Sequence, residues 1–220
     1  MHGDAARPYS AAEIEADFVL HLVGPLAGAI GAAVLVGLAA QSADSAVLWS
    51  VLAYSAGLMA MLGFSAAYHL RHSSRHRELL RRFDHAAIFV MIAGTYTPFT
   101  VCVLDGLYAI WLTGSMWLVA VAGVAVKLAY PRRFERASLA AYLALGWTVV
   151  ILVPRFVRSM DRATLILVVA GGVLYSIGAG LHRWRRLPYH DAIWHALVLA
   201  GAACHYAAIL HRVVLPARQP

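Results

Sequence analysis

Charge is scarce in this chain: Asp, Glu, Lys and Arg make up 13% of its 220 residues, while 61% are hydrophobic. Soluble domains carry about a quarter charged residues, so the composition excludes an ordinary soluble protein and points to a polytopic membrane protein. Acidic residues are fewer than basic ones, 11 against 18, for a formal net charge of +7. In a soluble protein that balance would suggest nucleic acid. Here the basic residues sit between apolar runs, which is the pattern of membrane topology, and no nucleic-acid partner is expected. Cysteine is almost missing. Cys102 and Cys204 both lie inside apolar runs, which excludes a disulfide framework and leaves them as packing residues. The N-terminus lacks the basic region of a signal peptide: Asp4, Glu13, Glu15 and Asp17 precede the first apolar stretch. That stretch is also too long for a signal core and is expected to remain as a membrane span. The short alternating segments of a membrane β-barrel are absent too.

What is there is a succession of seven apolar runs, at about 18–40, 46–70, 83–104, 107–130, 137–153, 164–181 and 189–215. Each approaches the roughly 20 residues that a helix needs to cross hydrocarbon. They use nearly the whole chain. The expected fold is therefore all-α, a seven-transmembrane helix bundle making one integral membrane domain over residues 1–220. Basic residues orient it. The connectors after runs two, four and six hold Arg71, Arg75, Arg77, Arg81, Arg82, Lys127, Arg132, Arg133, Arg136, Arg183, Arg185 and Arg186. The odd-numbered connectors hold only Arg155, Arg158 and Arg162, all after run five. This asymmetry predicts a cytoplasmic N-terminus and an external C-terminus.

With that topology, three helix ends carry ionisable groups to one depth of the cytoplasmic leaflet. His69 closes run two, Asp84 and His85 open run three, and Asp191 and His195 open run seven. Ionisable groups in hydrocarbon are costly, so each is a functional candidate. Singly, Asp84 and Asp191 could serve only the positive end of a helix dipole; the shared depth lifts the set above that. Catalytic zinc is held by three protein ligands with a fourth position open, and His69, Asp191 and His195 supply that number. Asp191 and His195 are four apart and share a helical face. Ser65, one turn before His69, is positioned to face water or a substrate oxygen, and Asp84 to exchange a proton. His205, about 15 Å beyond His195 along the axis, reads as a packing histidine.

These residues carry a resemblance. Ser65-Ala66-Ala67-Tyr68-His69, Asp84-His85-Ala86-Ala87-Ile88-Phe89 with Ile92-Ala93-Gly94-Thr95-Tyr96-Thr97-Pro98-Phe99, and Ala192-Ile193-Trp194-His195 with Val198-Leu199-Ala200-Gly201 resemble the hemolysin III family. Its members are the bacterial relatives of the progestin and adipoQ receptors, more distantly similar to alkaline ceramidases. The resemblance runs from about Glu15 to Leu210. It implies a seven-helix protein of the bacterial inner membrane with zinc near the cytoplasmic face, held by a histidine ending span two and two histidines four apart on span seven. His69 and His195 match; this chain has Asp191 where the family has the other histidine. Either Asp191 ligates or His190 replaces it. Residues five apart differ by about 140° around a helix and four apart by about 40°. With Pro188 starting the helix early, Asp191 is the better candidate.

Three functions follow as expectations. The first is a zinc-dependent hydrolase of a lipid amide or ester, the ceramidase-like reading, with Asp84 and Ser65 as catalytic residues and membrane lipid as substrate. The second is a membrane sensor with a structural zinc, receptor-like, for which lipid is a ligand. The third, channel-forming cytolysis, is implied by the family name, but no amphipathic insertion segment accompanies it. The topology is directly testable: a reporter inserted near Ser74 is expected in the cytoplasm and one fused after Pro220 outside. The reverse pair would overturn the orientation.

Overall fold

The computed structural model describes residues 8–71, 75–130, 133, 135–152 and 154–218. Ser74 and Pro220, the two reporter sites, lie outside these residues, as do Asp4, Arg132 and Val153, the expected end of the fifth run. Among the described residues the fold is helical throughout: α1 (Ala11–Ala39), α2 (Ser45–Leu70), α3 (Arg77–Cys102), α4 (Gly106–Ala129), α5 (Glu135–Leu152), the short α6 (Pro154–Arg158), α7 (Arg162–His182) and α8 (His190–Ile209). A π-helical turn, Leu210–Val214, prolongs α8. Among these residues, α1, α2, α3, α4, α7 and the extended α8 are long and apolar enough to cross a membrane, and α5 carries a shorter apolar stretch, Ala137–Thr148. The seven apolar runs thus fall on the seven long helices of a multi-pass membrane protein.

Helix starts differ from the sequence expectation in ways that matter for the site. α1 begins at Ala11, well before Phe18, because Ser10 and Glu13 form a capping box: Ser10 Oγ accepts the Glu13 amide at 3.3 Å and Glu13 Oε2 accepts the Ser10 amide at 2.7 Å. Two orphan donors of the first turn are satisfied reciprocally, and Asp17 becomes helical. α3 likewise starts at Arg77, inside the expected connector. α8 starts later than Pro188 suggests, at His190. The cause is Tyr189, whose φ of 60° is left-handed, a conformation that a side chain resists unless its surroundings impose it. Its amide donates to Oε1 of the buried Glu13 at 2.7 Å. One carboxylate therefore caps α1 and holds the turn that launches α8.

The closest helix pair is α2 with α3. A Cβ on Gly57 would sit 3.1 Å from Met91 Cα and Val90 O, and one on Gly94 would sit 3.0 Å from Ala53 O. Both obstacles are backbone, which cannot swing aside; small residues at such crossings let membrane helices approach. At the far end of α3, α6 drives the fully buried Phe156 edge-on against Tyr96 and Phe99, with ring centroids 6.2 and 6.0 Å away. Between this aromatic plug and the starts of α3 and α8 runs a cavity of about 860 Å³. Its wall is apolar along Ile88, Met91, Leu139, Leu143 and Leu199, and includes Asp84 at one end and Phe99 at the other. Fifteen residues of helix separate those two, roughly 22 Å.

The α2–α3 contact predicts a contrast between two glycines. Gly94→Ala overpacks a backbone crossing and should lower the unfolding midpoint in detergent, by about 1–3 kcal/mol of stability. Gly63, in α2, has open space where a Cβ would stand. It should accept alanine with no loss, or gain up to about 1 kcal/mol from helix propensity. Equal losses at both would show that this crossing does not set the helix spacing.

Candidate metal centre

Three helices each contribute a pair of residues four apart at the same end of the bundle. α1 carries Asp17 and His21, α2 carries Ser65 and His69, and α8 carries Asp191 and His195; α3 adds Asp84 near its start. On a helix that spacing aligns the members of a pair on one face. Asp17, His21, His69 and His195 converge, each offering a donor atom, with all four atoms within 4.8 Å of one another. His21 stacks on His69 at 4.3 Å between ring centroids, and His195 meets these rings edge-on at 4.2 and 4.7 Å. Asp17 lies among them, with Oδ1 2.7 Å from His195 Nδ1 and Oδ2 3.4 Å from Nδ1 of both His21 and His69. Three nitrogens and a carboxylate gathered off the apolar face of a membrane helix make a donor set that can hold a metal ion.

Hydrogen bonds orient the imidazoles. His21 Nδ1 lies 2.8 Å from the backbone carbonyl of Asp17. A carbonyl only accepts, so Nδ1 carries the proton and Nε2 keeps its lone pair. His195 Nδ1 faces the Asp17 carboxylate in the same way, which again leaves Nε2 as the free donor. Holding one ring nitrogen so that the other can ligate is the arrangement found around metal-bound histidines.

The two expected catalytic residues lie beside this group. Ser65 Oγ is 3.3 Å from His21 Nε2, and the Asp84 carboxylate lies beside Ser65, His69 and His21. Ser65, Asp84, His69 and His195 all line the cavity. Asp191 does not join the four donors. Its carboxylate accepts the Tyr9 hydroxyl at 2.6 Å and lies 3.0 Å from His182 Nδ1 and 3.4 Å from His190 Nε2. Burial and this hydrogen bond push the Tyr9 phenol up to about 12. His190 stacks on Tyr9 at 5.7 Å, so both sequence candidates for the third ligand sit in a neighbouring cluster. Asp191 lies in the first turn of α8, one turn short of His195, beside Tyr9 and His182. His205 is remote: its Nε2 faces the Val168 carbonyl at 3.2 Å and its ring packs on Tyr175.

Asp17 and His21 escape a reading of the sequence by hydropathy. Asp17 stands there only as an acid ahead of the first span, and His21 as part of its apolar run. The signal is nonetheless present, because they repeat the four-residue spacing of Ser65–His69 and Asp191–His195 at the same expected depth.

The family described as haemolysin-III related matches residues 16–206. Hemolysin-3 of Bacillus cereus is 30% identical over 199 residues, covering 90% of this chain and 91% of its own length. The hemolysin-3 homolog of Bacillus subtilis (strain 168) is 33% identical over 198 residues, with 89% and 92% covered. A more distant relative, the monocyte to macrophage differentiation factor of Homo sapiens, is 26% identical over 82% of this chain and 76% of its own length. A match across nearly the whole bundle, taking in α1 with Asp17 and His21 as well as His69, Asp84 and His195, makes this chain a member of the haemolysin-III related family.

Proposed function

We propose that this protein is a zinc-dependent membrane hydrolase of a lipid amide or ester, with His21, His69 and His195 as the metal ligands. The observation that carries the reading is the pairing of this donor set with Asp84 and Ser65 at one end of a long apolar cavity. A volume of about 860 Å³ is in the range of small-ligand pockets, and its length suits a hydrocarbon chain. His21 takes the third ligand position that the sequence assigned to Asp191.

When bound, zinc polarises carbonyl oxygens and makes water a nucleophile at neutral pH. The protein's own groups do the rest. Asp84 accepts a proton from water and returns it to the leaving nitrogen or oxygen. Ser65, beside Asp84 and within reach of His21, orients that carboxylate and offers its hydroxyl to a developing charge. Asp17 fixes the His195 ring through Nδ1.

A second reading, a sensor with structural zinc, draws on the fourth donor. If Asp17 ligates directly, the tetrahedron is closed and leaves no position for substrate. The 2.7 Å contact between Asp17 and His195 Nδ1 supports the open alternative, in which Asp17 orients a ligand. Metal content separates the cases. About one zinc per chain is expected, lost in His21→Ala, His69→Ala and His195→Ala and kept in His205→Ala, Asp191→Ala and Asp17→Asn. Loss in Asp17→Asn favours the closed site, and loss in Asp191→Ala with retention in His21→Ala returns the ligand role to Asp191.

Activity tests the enzyme reading itself. Asp84→Asn should keep its zinc yet lose about 10²–10⁴-fold in turnover of ceramides or related lipid amides and esters, the usual worth of a general acid–base group. A metal-loaded wild type that turns over none of these lipids would leave the sensor.

A further inference from the structure

α7 and α8 cross at two glycines. A Cβ on Gly171 would stand 3.0 Å from the Gly201 carbonyl oxygen, and one on Gly201 would stand 3.2 Å from that of Gly171. The same two positions make room for rings. The Gly171 Cβ would lie 2.5 Å from His205 Nε2, and the Gly201 Cβ 3.1 Å from Tyr175 Cζ. Each ring comes from the opposite helix, one turn beyond that helix's own glycine. Small residues let membrane helices approach; here they also seat an imidazole beside a phenol, with ring centroids 5.5 Å apart.

What these two rings lack is partners. His205 Nε2 lies 3.2 Å from the Val168 carbonyl; a carbonyl only accepts, so Nε2 carries the proton and Nδ1 is left as an acceptor. That Nδ1 is buried and bonded to nothing among the described residues, and so is the Tyr175 hydroxyl. Both residues line the cavity. The Tyr54 hydroxyl of α2, a third unpartnered group, lies near Tyr175 but off the cavity wall. Packing alone would be better served by Phe and Leu, because a buried polar atom without a partner is costly.

An acceptor and a donor side by side on a cavity wall match the two faces of a hydroxyl. Its proton goes to His205 Nδ1, and its oxygen accepts from Tyr175. A ketone or an ether would satisfy the phenol alone. A hydroxyl carried on a bound chain arrives already held in place, at a lower entropic cost than a free water. His205 stands ten residues after His195, about 15 Å along α8. The matching hydroxyl therefore lies partway down the chain, away from the bond beside the metal centre.

We propose that His205 Nδ1 and the Tyr175 hydroxyl form a subsite for a hydroxyl group carried partway along the hydrocarbon chain of the lipid in the cavity. This rests on the lipid reading above and narrows its substrate class to lipids hydroxylated in mid-chain. Both are binding residues, with no part in hydrolysis.

The test uses the full chain in a neutral detergent, with binding read by native mass spectrometry. The probes are oleyl alcohol, ricinoleyl alcohol, which adds one mid-chain hydroxyl, and the isomer whose second hydroxyl adjoins the first. None has an amide or ester bond to hydrolyse. Wild type should bind ricinoleyl alcohol about tenfold tighter than either other alcohol, the effect of roughly one hydrogen bond. That preference should vanish in Tyr175→Phe and in His205→Leu, with zinc content and oleyl alcohol binding unchanged. It should persist in Ser115→Ala, which removes an exposed hydroxyl from α4. If His205→Leu does not fold, Tyr175→Phe, which loses a single oxygen, decides. Equal binding of the three alcohols by wild type would assign the pair to water and overturn the subsite. So would a preference that survives in Tyr175→Phe or is lost in Ser115→Ala, or a variant that weakens all three alcohols alike, as a purely structural role would. Each of these leaves the lipid reading standing. Failure of all three alcohols to bind overturns both.

Discussion

One carboxylate inside the membrane boundary, that of Asp17, organises the functional end of this protein. Unpaired, it would be expensive in hydrocarbon; here it is surrounded by His21 of its own helix, His69 of α2 and His195 of α8. The carboxylate lies closest to His195 Nδ1, at 2.7 Å, and 3.4 Å from Nδ1 of His21 and of His69. A ring nitrogen that donates its N–H to an acceptor leaves the other nitrogen with the lone pair that can ligate. Removing Asp17 takes from His195 Nδ1 its 2.7 Å partner. The helix starts, the capping box at Ser10 and the left-handed turn at Tyr189 can all be understood as what is needed to bring α1 and α8 into register around this group.

Much of the fold was legible because hydropathy reports directly on membrane crossing. Seven apolar runs of sufficient length leave little room for another architecture, and they became the seven long helices. The boundaries were less legible, because capping is a local hydrogen-bond event that hydropathy does not see. Ser10 and Glu13 have the spacing of a capping box, yet they lie ahead of the apolar run, so hydropathy places the start of the first helix at Phe18. That error removes Asp17 from consideration. The same weakness acts at the other end, where Pro188 suggests an early start for the last helix. The tertiary hydrogen bond from Tyr189 to Glu13, across 176 positions of sequence, delays that start, and Asp191, one turn short of His195, pairs with Tyr9 and His182. Ser65, His69, Asp84 and His195 were legible because each sits at a helix end whose depth topology alone predicts.

The cavity explains why the packing is so uneven. α2 and α3 press backbone against backbone at Gly57 and Gly94, and this rigid pair carries Ser65, His69 and Asp84 on fixed supports. α5 lies across the cavity and reaches α3 through the hydrogen bonds from Tyr142 to the His85 carbonyl and from Tyr96 of α3 to the Gly146 carbonyl, and through the edge-on contact of Tyr142 with Phe89 at 4.6 Å. A rigid floor with a lightly fastened wall allows a long apolar guest to be admitted without disturbing the donor geometry.

The origin of the donors also bears on biosynthesis. α1 leaves the ribosome well before α8, and domains form progressively as the chain emerges. Asp17, His21 and His69 therefore wait in the bilayer, with His195 missing, until nearly the whole polypeptide has been inserted. During that interval the first helix carries an incompletely matched carboxylate, and arrival of the last one relieves it. Assembly of the donor cluster therefore waits on α8, and a protein without α8 in place lacks His195, which pairs with Asp17 of α1.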